Sequence, residues 1–191
     1  MIRTYELEDL VADLRALADG DATPEARAAA GAAALRRLLA NPDCLAPFGA
    51  LPAAGHNWLL HAEPDNGFTV AALVKAPHQR TPVHDHGPSW TLYGVLAGHE
   101  VITRYERLDD GSDPARAALR PSRIIAGRPG EVDVVRPWEP HDEVNGTGQS
   151  TAIIVRSQPM GTFPQHLFDL AAETARVVYG GTTAVPAPRV R

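Results

Sequence analysis

Apolar positions fall at helical spacing at the start of the chain and switch to a period of two after Pro52. In YELEDLVADLRALAD (5–19), Leu7, Leu10, Val11, Leu14, Leu17 and Ala18 line one face, which predicts an amphipathic helix stopped by Gly20. Thr23-Pro24-Glu25 reads as an N-cap with proline at the first helical position. The alanine-rich stretch 24–40 then predicts a second helix that ends before Asn41-Pro42. Short apolar runs follow, bounded by Gly, Pro, Asn and Asp, and predict strands over 56–63, 68–76, 83–86, 90–97, 99–108, 123–127, 131–137 and 150–157. Asn66-Gly67, between the first two, is the strongest hairpin signal. This many short strands predicts an all-β sandwich or jelly roll behind two N-terminal helices. Residues 164–179 (PQHLFDLAAETARVVY) return to helical periodicity and predict a C-terminal helix, and the Pro-, Gly- and Thr-rich residues 181–191 predict a flexible tail. No internal repeat or second domain is visible, so one domain is expected over 1–180: helices in 1–50, the sandwich over 56–157, then the last helix.

Composition narrows the function classes. With 191 residues, 44% hydrophobic and 21% charged, the chain suits one soluble globular core. Its net charge of −5 offers no basic footprint for nucleic acid. No run of apolar residues is long enough for a membrane span, and MIRTYELEDL lacks the apolar centre of a signal peptide. The single cysteine, Cys44, rules out an internal disulfide or a Cys-rich zinc site and fits a cytoplasmic protein. In NPDCLAPF it reads as a plain loop thiol.

The chemistry concentrates in TPVHDHGPSWTLYGVLAG. On a strand, alternate side chains share a face, so His84 and His86 point the same way and Asp85 points opposite. Two imidazoles on a rigid strand suit a divalent transition metal. A second segment, GEVDVVRPWEPHDEVN (130–145), carries a glycine turn, an apolar strand, a proline turn, His141 and then Asn145. A His-x-His pair on one strand, with a lone histidine followed four residues later by asparagine on another, resembles the metal site of a cupin. Cupins often add a glutamate soon after the pair; Thr91 stands at that position here. The expected ligands are therefore His84, His86 and His141, with no carboxylate. Glu100 and Glu139 read as surface acids, His78 and His99 as solvated turn residues, and His166 as a packing or capping residue opening the last helix.

The stretch GFTVAALVKAPHQRTPVHDHGPSWTLYGVLAGHEVITRY (67–105) resembles the bacterial branch of the cysteine dioxygenase family, the thiol dioxygenases. The likeness covers roughly 56–157 and the N-terminal helices. It implies a cupin double-stranded β-helix, a ferrous ion held by His84, His86 and His141, a thiol substrate chelating that ion, dioxygen as co-substrate and a sulfinate product. The chain also departs from the family. Its Ser-x-His-x-Tyr stretch falls at Ala152, Ile154 and Arg156; its Cys–Tyr crosslink would need Thr91 and Arg156; its carboxylate-gripping arginine falls at Trp58.

Arg156, alternating with Ala152 and Ile154, would face the cavity and offer its planar fork to a substrate carboxylate. The alternative is an arginine at a strand end, reaching solvent or pairing with Asp142 or Glu143. Trp58, Trp90, Tyr93 and Tyr105 wall a pocket or belong to the core, with Tyr93 also a candidate for positioning substrate. His56, Thr91 and Ile154 are further pocket candidates, and Asn145 is expected to orient the segment carrying His141. The leading expectation is an Fe(II) dioxygenase acting on a small thiol carboxylate. Zn, Ni, Mn and Cu suit the same imidazoles, and a redox-silent cupin (lyase, isomerase or hydrolase) or a ligand-sensing cupin are the alternatives. Its partners would be a small-molecule substrate and dioxygen, with neither nucleic acid nor membrane, and pairing through sheet edges leaves a homodimer open.

Overall fold

The N-terminal helices form where the apolar stripe and the caps place them. In the computed structural model, which describes residues 4–49, 53–55, 57–64, 67–159, 161–180 and 184–188, α1 spans Leu7–Asp19 and α2 spans Pro24–Leu39. Leu7, Leu10, Val11 and Leu14 form the buried face of α1, and a reciprocal capping box between Glu6 and Asp9 closes its start. The backbone N–H of Ala26 donates to Thr23 Oγ1 (3.3 Å) at the start of α2. Small residues on α2 (Ala28, Gly31, Ala32, Ala34) let it lie close against the sheet beneath. A side chain at Gly31 would meet Leu92 at 3.1 Å, and one at Gly94 would meet Leu35 at 2.9 Å. No helix among the described residues is long and apolar enough to cross a membrane.

Twelve strands follow among the described residues: β1 (Asn57–Ala62), β2 (Thr69–Lys75), β3 (Val83–His84), β4 (Thr91–Ala97), β5 (Glu100–Arg107), β6 (Leu119–Gly127), β7 (Val132–Val135), β8 (His141–Asn145), β9 (Ser150–Arg156), β10 (Pro164–Asp169), β11 (Thr174–Tyr179) and β12 (Ala184–Pro186). They make two six-stranded sheets in the orders β12-β1-β2-β9-β4-β7 and β11-β10-β3-β8-β5-β6. The two sheets form the all-β jelly roll that the strand pattern predicts.

The first sheet is buried on both faces. Val70, Ala72, Leu92, Ile153 and Val155 pack against the helices, while Tyr93, Val95, Ala152 and Ile154 point into the barrel and meet Ile102 of the opposite sheet. Burial on both faces explains why β9 reads as an almost unbroken apolar run rather than an alternation.

Two expectations are corrected. Residues 164–179 are not a helix but the antiparallel hairpin β10–β11. Their helical periodicity yields to pairing, because β10 also covers the edge of β3 through Leu167↔His84 and Phe168↔Val83. Asp169 accepts the Ala171 and Ala172 N–H groups in the turn between them, and β-branched Val177 and Val178 suit β11. Within the tail expected to be flexible, Ala184–Pro186 pairs in parallel with β1. Of the Asn66-Gly67 hairpin signal, Asn66 lies outside the described residues; β1 and β2 do pair antiparallel, and Gly67 has φ of +70°.

Leu35, fully buried between α2 and β4, tests this packing. Leu35→Ala is expected to lower unfolding stability by about 2–5 kcal/mol in a denaturant titration; a loss under ~1 kcal/mol would refute the close helix-on-sheet contact.

Candidate metal centre

Three imidazoles converge inside the barrel. His84 ends β3, His86 follows two residues on, and His141 opens β8 directly opposite His84 in register. Ring centroids lie 4.4 Å (His84–His141), 4.8 Å (His86–His141) and 5.0 Å (His84–His86) apart. One ring nitrogen from each lies within 4.8 Å of the others.

The hydrogen bonds fix which nitrogens face inward. His84 Nδ1 is 2.9 Å from the Pro82 carbonyl and His141 Nδ1 is 3.0 Å from the Glu139 carbonyl, so each donates its N–H there and keeps an Nε2 lone pair free. His84 Nε2 and His86 Nε2 are 3.1 Å apart, while His141 Nε2 and His86 Nδ1 are buried with no hydrogen-bond partner. Burial holds His84 down to about 4 and His86 well below the usual histidine range, so both rings are neutral at pH 7. Converging imidazoles with unpartnered nitrogens fit a divalent transition metal.

Asp85 locks this pair in place from the other face. Its Oδ1 accepts the N–H groups of Gly87 and His166 (both 3.0 Å), and its Oδ2 pairs with His166 Nδ1 at 2.7 Å. His166 therefore does not open a helix: it sits on β10 and clamps the hairpin to the His-x-His segment. Gly87 has φ of +54°, and a Cβ there would fall 2.3 Å from the Pro164 carbonyl. Asn145 anchors the far end of β8, donating from Nδ2 to the carbonyls of Lys75 (3.2 Å), Ala76 (2.6 Å) and Gly148 (2.8 Å).

A cavity of about 290 Å³ opens onto His84 and His86, lined also by Thr81, Pro82, Arg156 and Gln165. Arg156 Nε and Gln165 Nε2 are buried there without a hydrogen-bond partner. Thr91 is placed directly across from Arg156 in the β4–β9 register, and its Oγ1 is likewise buried and unpartnered. Among the described residues Arg156 forms no ion pair: Asp142 is taken by Arg80 (2.6 Å), and Glu143 by other groups. Burial lowers the Arg156 guanidinium to about 10, which leaves it charged. Ile154 shares the barrel-facing side with Ala152. Trp58 and Trp90 instead pack on the helix side of the first sheet, away from the histidines. Tyr105 is buried beside Arg80 and Asp142. His56 lies outside the described residues.

The sequence reading missed a buried ionic network next to this site. Glu100 is not a surface acid: it is 2% exposed and accepts from Lys75 Nζ (2.7 Å), the Tyr93 hydroxyl (2.6 Å) and Ser150 Oγ (2.7 Å). Glu139 stays partly exposed, 3.4 Å from Arg104. Lys75 Nζ also donates to Tyr93 (2.7 Å) and lies 3.7 Å from Glu143 Oε2. Burial, with the Glu143 and Glu100 carboxylates, raises the Tyr93 hydroxyl well above its usual range, so it stays a neutral donor. The sequence named Glu143 only as a possible partner of Arg156, although its place two beyond His141 puts both on one face of the strand; nothing in the sequence pairs Lys75 with Glu100.

No protein-family model matches the chain. The chain is similar to parts of several solved structures. Recombinant oxalate oxidase in complex with glycolate is 20% identical, over 48% of this chain and 42% of that chain, with a TM-score of 0.39. The Schizosaccharomyces pombe Cnp3 cupin domain is 12% identical over 53% of this chain and 63% of that one (TM-score 0.43). An uncharacterised double-stranded β-helix protein from Klebsiella pneumoniae subsp. pneumoniae is 17% identical over 62% of this chain and 84% of that one (TM-score 0.42). The matches thus span less than two thirds of the first two chains.

His84 sets a pH dependence. Its folded-state value of about 4 lies below the ordinary 6.5, so the unfolded chain takes up a proton that the folded chain refuses. Stability of the metal-free protein is therefore expected to fall as pH drops from about 6.5 to about 4. Thermal melts in chelator should show a shallower fall for His84→Asn; identical slopes would contradict the burial of a neutral ring.

Proposed function

We propose that the chain is a mononuclear Fe(II) dioxygenase that oxidises a small thiol carboxylate at the three-histidine centre. The observation that carries this reading is the unpartnered, buried Arg156 Nε in the cavity that opens onto His84 and His86. A buried donor without a partner asks for a ligand acceptor, and a guanidinium suits a carboxylate. Three imidazoles leave positions open beside that cavity, and bound iron would supply the redox chemistry that joins thiol and dioxygen. The chain's own residues then divide simply. His84, His86 and His141 hold the ion. Arg156 grips the carboxylate, and Gln165 Nε2 and Thr91 Oγ1 offer further hydrogen bonds to substrate. Pro82, Leu167 and Val178 give the cavity wall an apolar face that limits water. Tyr93 is engaged with Lys75 and Glu100, so it steadies that network rather than touching substrate.

A second reading is favoured by the replacement of the outer Ser-x-His-x-Tyr set by Ala152, Ile154 and Arg156, and by the carboxylate of Glu143 close to His141. In it, the same centre binds a redox-silent ion and activates water for lyase or hydrolase chemistry.

Oxygen uptake by anaerobically Fe(II)-loaded protein separates the two. 3-Mercaptopropionate, mercaptosuccinate and cysteine are to be compared with cysteamine, which lacks a carboxylate. Uptake with a carboxylate thiol but not cysteamine is expected, lost in His86→Ala. Arg156→Gln should raise KM roughly 10–100-fold with a smaller change in kcat, the loss of a charge-assisted hydrogen bond. Silence across the panel with iron bound would sink the dioxygenase reading.

A further inference from the structure

From the barrel interior we infer that Glu143 is a fourth ligand to the ion, supplying the carboxylate that is missing at Thr91. The inference rests on the three-histidine metal centre but not on the identity of the reaction. Glu143 lies two residues after His141 on β8, so both side chains enter the barrel from one face. It is 4% exposed, and its two oxygens are treated differently. Oε2 accepts from Thr81 Oγ1 at 2.6 Å and lies 3.7 Å from Lys75 Nζ. Oε1 faces His141 Nε2 at 3.5 Å.

That contact identifies what belongs between the two atoms. His141 gives its Nδ1 proton to the Glu139 carbonyl, so Nε2 presents a lone pair. A carboxylate oxygen turned toward a buried lone pair is a contact between two acceptors, which is repulsive unless a cation sits within reach of both. Thr81 donates both its backbone N–H to the Glu143 carbonyl (3.0 Å) and its hydroxyl to Oε2, so the side chain is aimed by two contacts from one residue. Thr91 Oγ1 cannot replace it, being a neutral hydroxyl on β4. The donor set becomes three imidazoles and one carboxylate, with the anionic donor coming from the strand of the third histidine instead of the strand after the first pair. It lowers the charge on the bound centre from +2 to +1 and reduces the positions left open to substrate.

The test reads the ion, not turnover. Cobalt(II) is loaded into the wild-type chain, Glu143→Gln and Glu143→Ala, with affinity taken by chelator competition and ligation from the visible ligand-field bands. The Gln variant keeps the volume and an acceptor for Thr81, and circular dichroism of the metal-free proteins confirms folding. Both variants are expected to bind cobalt at least about tenfold more weakly, with a shifted band envelope. Unchanged bands in Glu143→Gln overturn the inference whatever the affinity does. If wild-type protein gives these results yet consumes no oxygen with any thiol, the dioxygenase reading fails and the ligand assignment stands. If His86→Ala binds cobalt as the wild type does, the centre itself is wrong and both fall.

Discussion

Everything at the centre depends on one strand pairing, the bridge that sets His84 of β3 directly against His141 of β8. β3 is only two residues long, so it could not hold this register alone. It is held because β10 pairs on its other edge and Asp85 ties the following backbone to His166. The hairpin that closes the sheet is thus also what makes the His-x-His segment rigid enough to present two imidazoles at a fixed separation. A metal site needs this, since ligand atoms displaced by even 1 Å lose their geometry.

Electrostatics inside the barrel follow from that framework. Around the histidines, the buried cation Lys75 faces the buried carboxylates Glu100 and Glu143, Asp85 is paired with His166, and Arg156 lies in the cavity without an ion-pair partner among the described residues. A cavity with the unpartnered donors of Arg156 and Gln165 is suited to a small anion. Lys75, Tyr93, Glu100 and Ser150 come from four different strands, β2, β4, β5 and β9, so their hydrogen bonds also staple the two sheets together around the site.

The converging histidines were readable because their chemistry is local. The alternation of a strand puts His84 and His86 on one side, and the spacing from His141 to Asn145 marks the second half of the site. Arg156 was also readable as a cavity residue, since alternation places it in line with Ala152 and Ile154. Glu100 was misread because burial of a charge is decided by partners distant in sequence. Gln165 and His166 were hidden for a different reason: helical periodicity in 164–179 gave no sign that a sheet edge would recruit the segment.

What the sequence determined by itself was the periodicities, the caps and turns, and the pair and single histidine, because each depends on residues within a few positions of one another. These specify two helices, a series of short strands and a metal-binding donor set. Only the tertiary structure decided which carboxylates are buried and where the last segment goes. Both depend on long-range pairing, which brings Lys75 to Glu100, Glu143 to His141 and β10 to β3, and whose free energy outweighs local preference.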